Sequence, residues 1–139
     1  MRCPFIEVHL FRRTGRRVEF LCLRRARTRR LPGIWQPVTG KRRRGETAFA
    51  AARREVREET GLELDRLTLF GVFSGADLFY RYPNGDEVHN VTIVYLARPA
   101  GTQVRLNAEH TQWGWFAPRE VPEDLSPPIR PVIERFLRP

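Results

Sequence analysis

The sequence predicts an α/β fold in which a mixed β-sheet is sandwiched between α-helices. Three observations carry that expectation. β-rich runs stand on both sides of one central helical segment. That segment opens at a capping threonine, Thr47, and closes at a glycine, Gly61. Near the end of the chain, Ile129, Val132, Ile133, Phe136 and Leu137 recur at helical spacing, so a second helix with an apolar face is expected over Pro128 to Leu137. A length of 139 residues suits one domain with a real core, and residues 1–139 are read as a single domain.

Taken in order, Phe5 to Phe11 alternates Ile6, Val8 and Leu10 with Glu7 and His9, the pattern of a strand. Arg12 to Arg17, with Gly15, reads as a hairpin turn, and Val18 to Leu23 as the partner strand. A basic loop follows from Arg24 to Pro32. Trp35 to Val38 is short and extended, although Pro37 lacks the N–H that a central ladder position needs. In the central helix, Ala48, Ala51, Ala52 and Val56 form a stripe of small residues that allows close packing on a sheet. The stripe overlaps an arc of glutamates, whereas charge on a simple amphipathic helix opposes the apolar side. Those glutamates are therefore expected to line a cleft beside the packing contact. Leu67 to Phe73 is strand-like. Pro83-Asn84-Gly85-Asp86 is a turn signal, with Asn-Gly favouring a tight hairpin. Val88 to Ala97 reads as one long β-rich run and Trp113 to Phe116 as another short strand. Pro131 falls in the first turn of the terminal helix, where proline is tolerated.

Composition sets outer bounds. Hydrophobic content is 41%, ordinary for a globular protein. No apolar run approaches the roughly 20 residues of a membrane span, and MRCPFIEVHLF lacks the features of a signal peptide. Two cysteines, Cys3 and Cys22, are too few for a disulfide framework, so free thiols and a cytoplasmic location are expected. The formal net charge is +9, unevenly spread: residues 1–44 carry 14 basic and 2 acidic side chains, residues 45–139 carry 11 and 14. Lys41 is the only lysine among the 25 basic residues. The arginine excess reflects either a compositional bias or guanidinium groups that bind phosphate bidentately.

The most informative segment is GKRRRGETAFAAARREVREETGL, residues 40–62. At roughly 100° per residue, Glu55, Glu58 and Glu59 share an arc of about 100° on the helix, with Arg53, Arg54 and Arg57 on the far side. Three like charges on one face repel one another. A divalent cation offsets that repulsion, and hard cations such as Mg²⁺ take carboxylate and phosphate oxygens together. The bland alternative is a solvated charged face.

This segment resembles the Nudix box: Gly, five residues, Glu, seven residues, Arg-Glu, an apolar residue, any residue, Glu-Glu, any residue, Gly, apolar. Gly40, Glu46, Arg54, Glu55, Val56, Glu58, Glu59, Gly61 and Leu62 all match it, with both spacings intact. The resemblance extends to IWQPVTG before the box, YPNGDEV after it, and Glu109-His110. It implies the mixed-sheet Nudix fold. It also implies Mg²⁺-dependent hydrolysis, with Mn²⁺ as a substitute, of a nucleoside diphosphate linked to another group. Carried over, it makes Glu55, Glu58 and Glu59 metal ligands with the Gly40 carbonyl, places Glu46 in an outer role, and has Arg54 fix the glutamates through ion pairs. The general base is either Glu55 or Glu109. His110 on its own reads as structural or exposed. Arg24 and Arg25 either bind phosphate or form a solvated strand end.

Lys41, Arg42, Arg43 and Arg44 depart from the acidic residues common in that loop of the family. They either grip a polyphosphate or form a patch for nucleic acid. Trp35, Phe79, Tyr80 and Tyr82 either stack on a base or fill the core, and Trp113 and Trp115 alternate faces. WQPVTG looks like the subgroup acting on dATP and dihydroneopterin triphosphate. The implied partner is a small nucleotide, with no membrane, for a monomer or homodimer. The alternative is a non-catalytic module that senses a nucleotide or docks on nucleic acid. Such members usually lose box glutamates, and this chain keeps all of them.

Overall fold

The computed structural model describes residues 5–26, 33–74, 79–81, 83–89, 91–101, 103–122, 124–125, 129, 132 and 134–135. The first strand, β1 (Phe5–Thr14), turns at Gly15 (φ 63°) into β2 (Arg17–Arg25). Two short strands follow, β3 (Trp35–Gln36) and β4 (Val38–Lys41). Helix α1 (Ala48–Thr60) leads to β5 (Leu64–Phe73), the hairpin of β6 (Phe79–Arg81) and β7 (Glu87–His89), then β8 (Thr92–Pro99) and β9 (His110–Phe116). A 3₁₀ turn covers Pro118–Glu120.

The sheet is mixed, as expected. β1 runs parallel to β8 and antiparallel to β2 and β4, while β2 also pairs with β3 and β9, and β8 with β5. β1 is long enough to serve two sets of partners. Its first residues pair with β4 and β8, and its last four with β2. Pro37 sits where the chain leaves β2 for β1, between β3 and β4. Its missing N–H therefore falls at a change of partner and interrupts neither ladder.

Alternation along β1 decides the two faces. Ile6, Val8 and Leu10 point to the side covered by α1, where they pack with Leu21, Leu23, Val38, Ala51, Ala52 and Val56. Ala51, Ala52 and Val56 of α1 are fully buried and Ala48 packs beside them, partly buried, so the small-residue stripe is the packing surface. Glu7 and His9 take the other face, buried, with His9 Nε2 at 2.7 Å from Glu7 Oε2.

Four expectations are adjusted. The run Val88 to Ala97 is two strands, because β7 folds back on β6 (Phe79 opposite His89) while β8 joins β1 and β5. β5 begins three residues earlier than expected, and β9 extends back to His110. Arg24 and Arg25, read as loop, close β2. Most of the expected helix Pro128–Leu137 lies outside the described residues. Of it, Ile129 and Val132 are buried while Glu134 and Arg135 are exposed, and Ile129 packs with Leu125, Trp35 and Val121. Trp35 thereby packs, partly buried, against this smaller cluster, and Trp113 is exposed. Tyr82 lies outside the described residues. No described helix is long and apolar enough to cross a membrane.

Candidate active site

Helix α1 is held at both ends as its sequence requires. Thr47 Oγ1 accepts from the Ala50 N–H at 3.0 Å, and Gly61 adopts a left-handed φ of 71° while its N–H bonds the Arg57 carbonyl. Strand β4 fixes the rotation of the helix. A Cβ placed on Gly40 would lie 2.2 Å from Cδ of Glu55. The glycine is thus required by close approach, because the Glu55 side chain occupies the space that any other residue would fill.

Arg54 organises the outer part of the site. Its guanidinium donates to both oxygens of Glu46 (2.8 and 3.0 Å), to Glu55 (2.9 Å), to Glu58 (3.1 Å) and to the Lys41 carbonyl (2.9 Å). The helical wheel had placed it away from the glutamates. Its long stem carries the charge back over them, which a wheel of Cα positions does not show. These bonds hold the Glu46 carboxyl down at about 2, aided by the Arg43 N–H at 2.9 Å. Arg43 Nη2 also reaches Glu58 at 3.2 Å. Glu58 is therefore gripped by two arginines at the surface.

Glu59 is in the opposite state. Its side chain is 1% exposed, and neither carboxylate oxygen makes a hydrogen bond of normal geometry. Burial drives its carboxyl far above the usual range, and the nearby carboxyls of Glu55 and Glu109 push it the same way. A buried carboxylate without partners is strongly disfavoured unless it takes a proton or a cation.

Glu109 approaches Glu59 from the loop before β9. Its N–H bonds Asn107 Oδ1 at 3.0 Å, and its carbonyl accepts from Ala26 at 2.9 Å. The next residue, His110, is buried, with Nε2 at 3.8 Å from Glu59 Oε1. Gln36 contacts that ring at 3.2 Å, and Arg25 reaches Gln36 at 3.4 Å. Ligand atoms of Glu59, Glu109 and His110 all lie within 4.8 Å of one another. Two carboxyls, Glu55 and Glu109, facing the buried oxygen pair of a third, Glu59, suit a divalent cation.

The other expected residues are placed as follows. Arg24 turns to Gly33 O and Gln112 Oε1, both at 3.2 Å, so it ties the start of β3 and β9 to β2. Its neighbour Arg25, on the opposite side of the strand, is the one that reaches the His110 side through Gln36. Lys41, Arg42 and Arg44 are exposed on the loop leading to α1. Sequence reasoning missed Gln36 and passed over His110. Neither lies in the box, and only the fold brings β3 and β9 beside Glu59.

The family model for the NUDIX domain matches residues 5–136. The dihydroneopterin triphosphate diphosphatase of Escherichia coli (strain K12) is 35% identical over 117 residues, 76% of this chain and 76% of that protein. The 8-oxo-dGDP phosphatase NUDT18 of Homo sapiens is 32% identical over 111 residues, covering 77% of this chain but 31% of that protein. Among solved structures, the MutT NUDIX hydrolase from Burkholderia pseudomallei superposes with a TM-score of 0.76 at 29% identity, over 96% of this chain and 97% of that one. The chain belongs to the Nudix family. It is accordingly a pyrophosphohydrolase of the MutT-like kind, with the mixed-sheet fold the sequence led us to expect.

Proposed function

We propose that residues 1–139 form one Nudix domain that hydrolyses a nucleoside triphosphate or a close analogue with a divalent cation, Mg²⁺ or Mn²⁺. The observation that carries this reading is Glu59, a buried carboxylate whose oxygens make no hydrogen bond of normal geometry and which is faced by Glu55 and Glu109. Glu59, Glu55 and Glu109 hold the ion, with the Gly40 carbonyl beside them and Glu58 joining from the outer side. When bound, the ion neutralises phosphate charge and makes a water more acidic.

The chain's own residues do the rest. Arg54 fixes Oε1 of Glu55, leaving that carboxyl aimed at the ion site, and we assign it the water's proton. Glu109 is the rival for that role. Arg42 and Arg44, on the loop that abuts Glu58 through Arg43, supply charge for the polyphosphate tail. The two relatives with named substrates act on fused bicyclic heterocycles bearing phosphates, and that class is proposed here. Cys22 is buried, and burial pushes its thiol up to about 12, so it is an unreactive core thiol; a cytoplasmic location is proposed. A panel of nucleoside triphosphates, 8-oxo nucleotides and pterin triphosphates, assayed with Mg²⁺ or Mn²⁺ and again with EDTA, tests the proposal. Turnover that survives chelation, or none on any member, overturns it.

A further inference from the structure

We infer that His110 is a nitrogen ligand to the same ion, beside Glu59 and Glu109, and that the site therefore prefers a first-row transition metal, Mn²⁺ among them, to Mg²⁺. The role of the ion rests on the hydrolase reading above, whereas its ligands rest on geometry alone. Ligand atoms of the three residues lie within 4.8 Å of one another. Three donors at about 2.1 Å from one ion stand about 3 to 3.6 Å apart, and His110 Nε2 already lies 3.8 Å from Glu59 Oε1, so side-chain rotations of about 1 to 2 Å bring the three into coordination. Glu59 and His110 side chains are each 1% exposed, and the Glu59 oxygens lack hydrogen bonds. The position is therefore shielded, short of positive charge and flanked by an imidazole.

The donor chemistry then chooses the metal. Carboxylates alone suit Mg²⁺, which keeps oxygen ligands and sheds water reluctantly. An imidazole favours first-row transition metals over Mg²⁺, least for Mn²⁺ and increasingly along Fe²⁺ and Co²⁺. Backbone structure supports the ring. His110 opens β9 opposite Arg25, and Gln36, tethered by Arg25, contacts its Nε2. Nε2 is also the nitrogen that lies 3.8 Å from Glu59 Oε1, so the Gln36 amide has to turn aside for that nitrogen to ligate.

The chain has three histidines, so the test must identify one of them. His9 is engaged by Glu7 on the opposite sheet face. Pulsed EPR of the full-length protein loaded with Mn²⁺ is expected to show directly bonded histidine ¹⁴N coupling, shifted by ¹⁵N-histidine labelling and lost in His110→Gln. Competition titrations should show the Mn²⁺ over Mg²⁺ preference fall about 10- to 100-fold in that variant, with Mg²⁺ affinity nearly unchanged. Bound Mn²⁺ without nitrogen coupling in the wild-type protein overturns the inference, and this wild-type measurement does not depend on the variant folding. The two readings fail separately. Turnover without nitrogen coupling sinks only the ligand assignment, and nitrogen coupling without turnover on the nucleotide panel sinks only the hydrolase reading.

Discussion

Glu58 and Glu59 are neighbours on one helix, and their surroundings could hardly differ more. The Glu58 side chain is 42% exposed and held by Arg43 and Arg54, whereas that of Glu59 is 1% exposed and its oxygens make no hydrogen bond. The outer half of the site (Glu46, Glu58, Arg43, Arg54) is already neutralised by its own arginines. The inner half (Glu59, Glu109, His110, with Glu55 at the boundary) gathers acidic groups around a buried position. A binding site for a cation needs the second arrangement, because a carboxylate already paired must first be released from its arginine. The spacing of the glutamates is the same in both readings. Burial separates their roles.

The sharpest way to break this comparison is to neutralise one member of each half. Glu59→Gln is expected to abolish Mn²⁺ binding and lower kcat/KM by about 10³-fold or more, since the ion's contribution to phosphate-charge neutralisation goes with it. Glu58→Gln is expected to cost less on both counts. Equal losses of ion affinity in the two variants, measured by calorimetry, would mean that Glu58 leaves its arginines and serves as a full ligand.

The boundary residue comes next. Glu55→Gln should lower kcat by about 10²- to 10⁴-fold, the range for loss of a general base, and by more than Glu109→Gln does. If Glu109→Gln is the more damaging in a single-turnover assay, the base belongs to the β9 loop. Gly40→Ala probes the same carboxyl from behind. A Cβ there displaces Glu55, so a stability loss of about 1–3 kcal/mol is expected from overpacking, with a fall in kcat that restoring Mn²⁺ to saturation does not repair. An alanine variant with wild-type melting and turnover would show that Glu55 is free to move.

Much of the outer half was legible in the sequence, because it is local. The glutamate arc and both helix caps follow from spacing over a few turns, whereas the pairing of Arg54 with the glutamates came from the box motif and not from the helical wheel. The strands β1 and β2 were legible for the same reason, as their alternation and the break at Pro37 are local signals. The inner half was not. Glu59 meets Glu109 and His110 only because β2 pairs with both β3 and β9, a long-range choice that spacing along the chain does not encode. The same limit explains why Val88 to Ala97 read as one strand, since the switch of partner between β7 and β8 leaves no mark in a run of β-formers. Arg24 and Arg25 were indistinguishable as neighbours, and only the strand's alternation sends Arg25 towards His110.

The smallest expected effect separates the halves by the sign of their response to pH in the ion-free protein. Arg54 holds the Glu46 carboxyl at about 2, below its ordinary value of 4.5. A lowered folded value means that the native state binds the charged form better. The outer half therefore contributes stability that is present above 4.5 and lost as the pH falls towards 2. Glu59 is raised above the same ordinary value by burial. Its neutral form is the better accommodated, so its contribution is fully present below 4.5 and lost as the pH climbs through its elevated folded value. Thermal unfolding in EDTA across that pH range should show both losses. Glu46→Gln should flatten only the acid limb, and Glu59→Gln only the limb at higher pH. Saturating Mn²⁺ should act like Glu59→Gln, because a bound cation stabilises the charged carboxylate that burial opposes. If Glu59→Gln leaves the higher limb unchanged, that carboxyl has a partner in solution and the inner half is not short of positive charge.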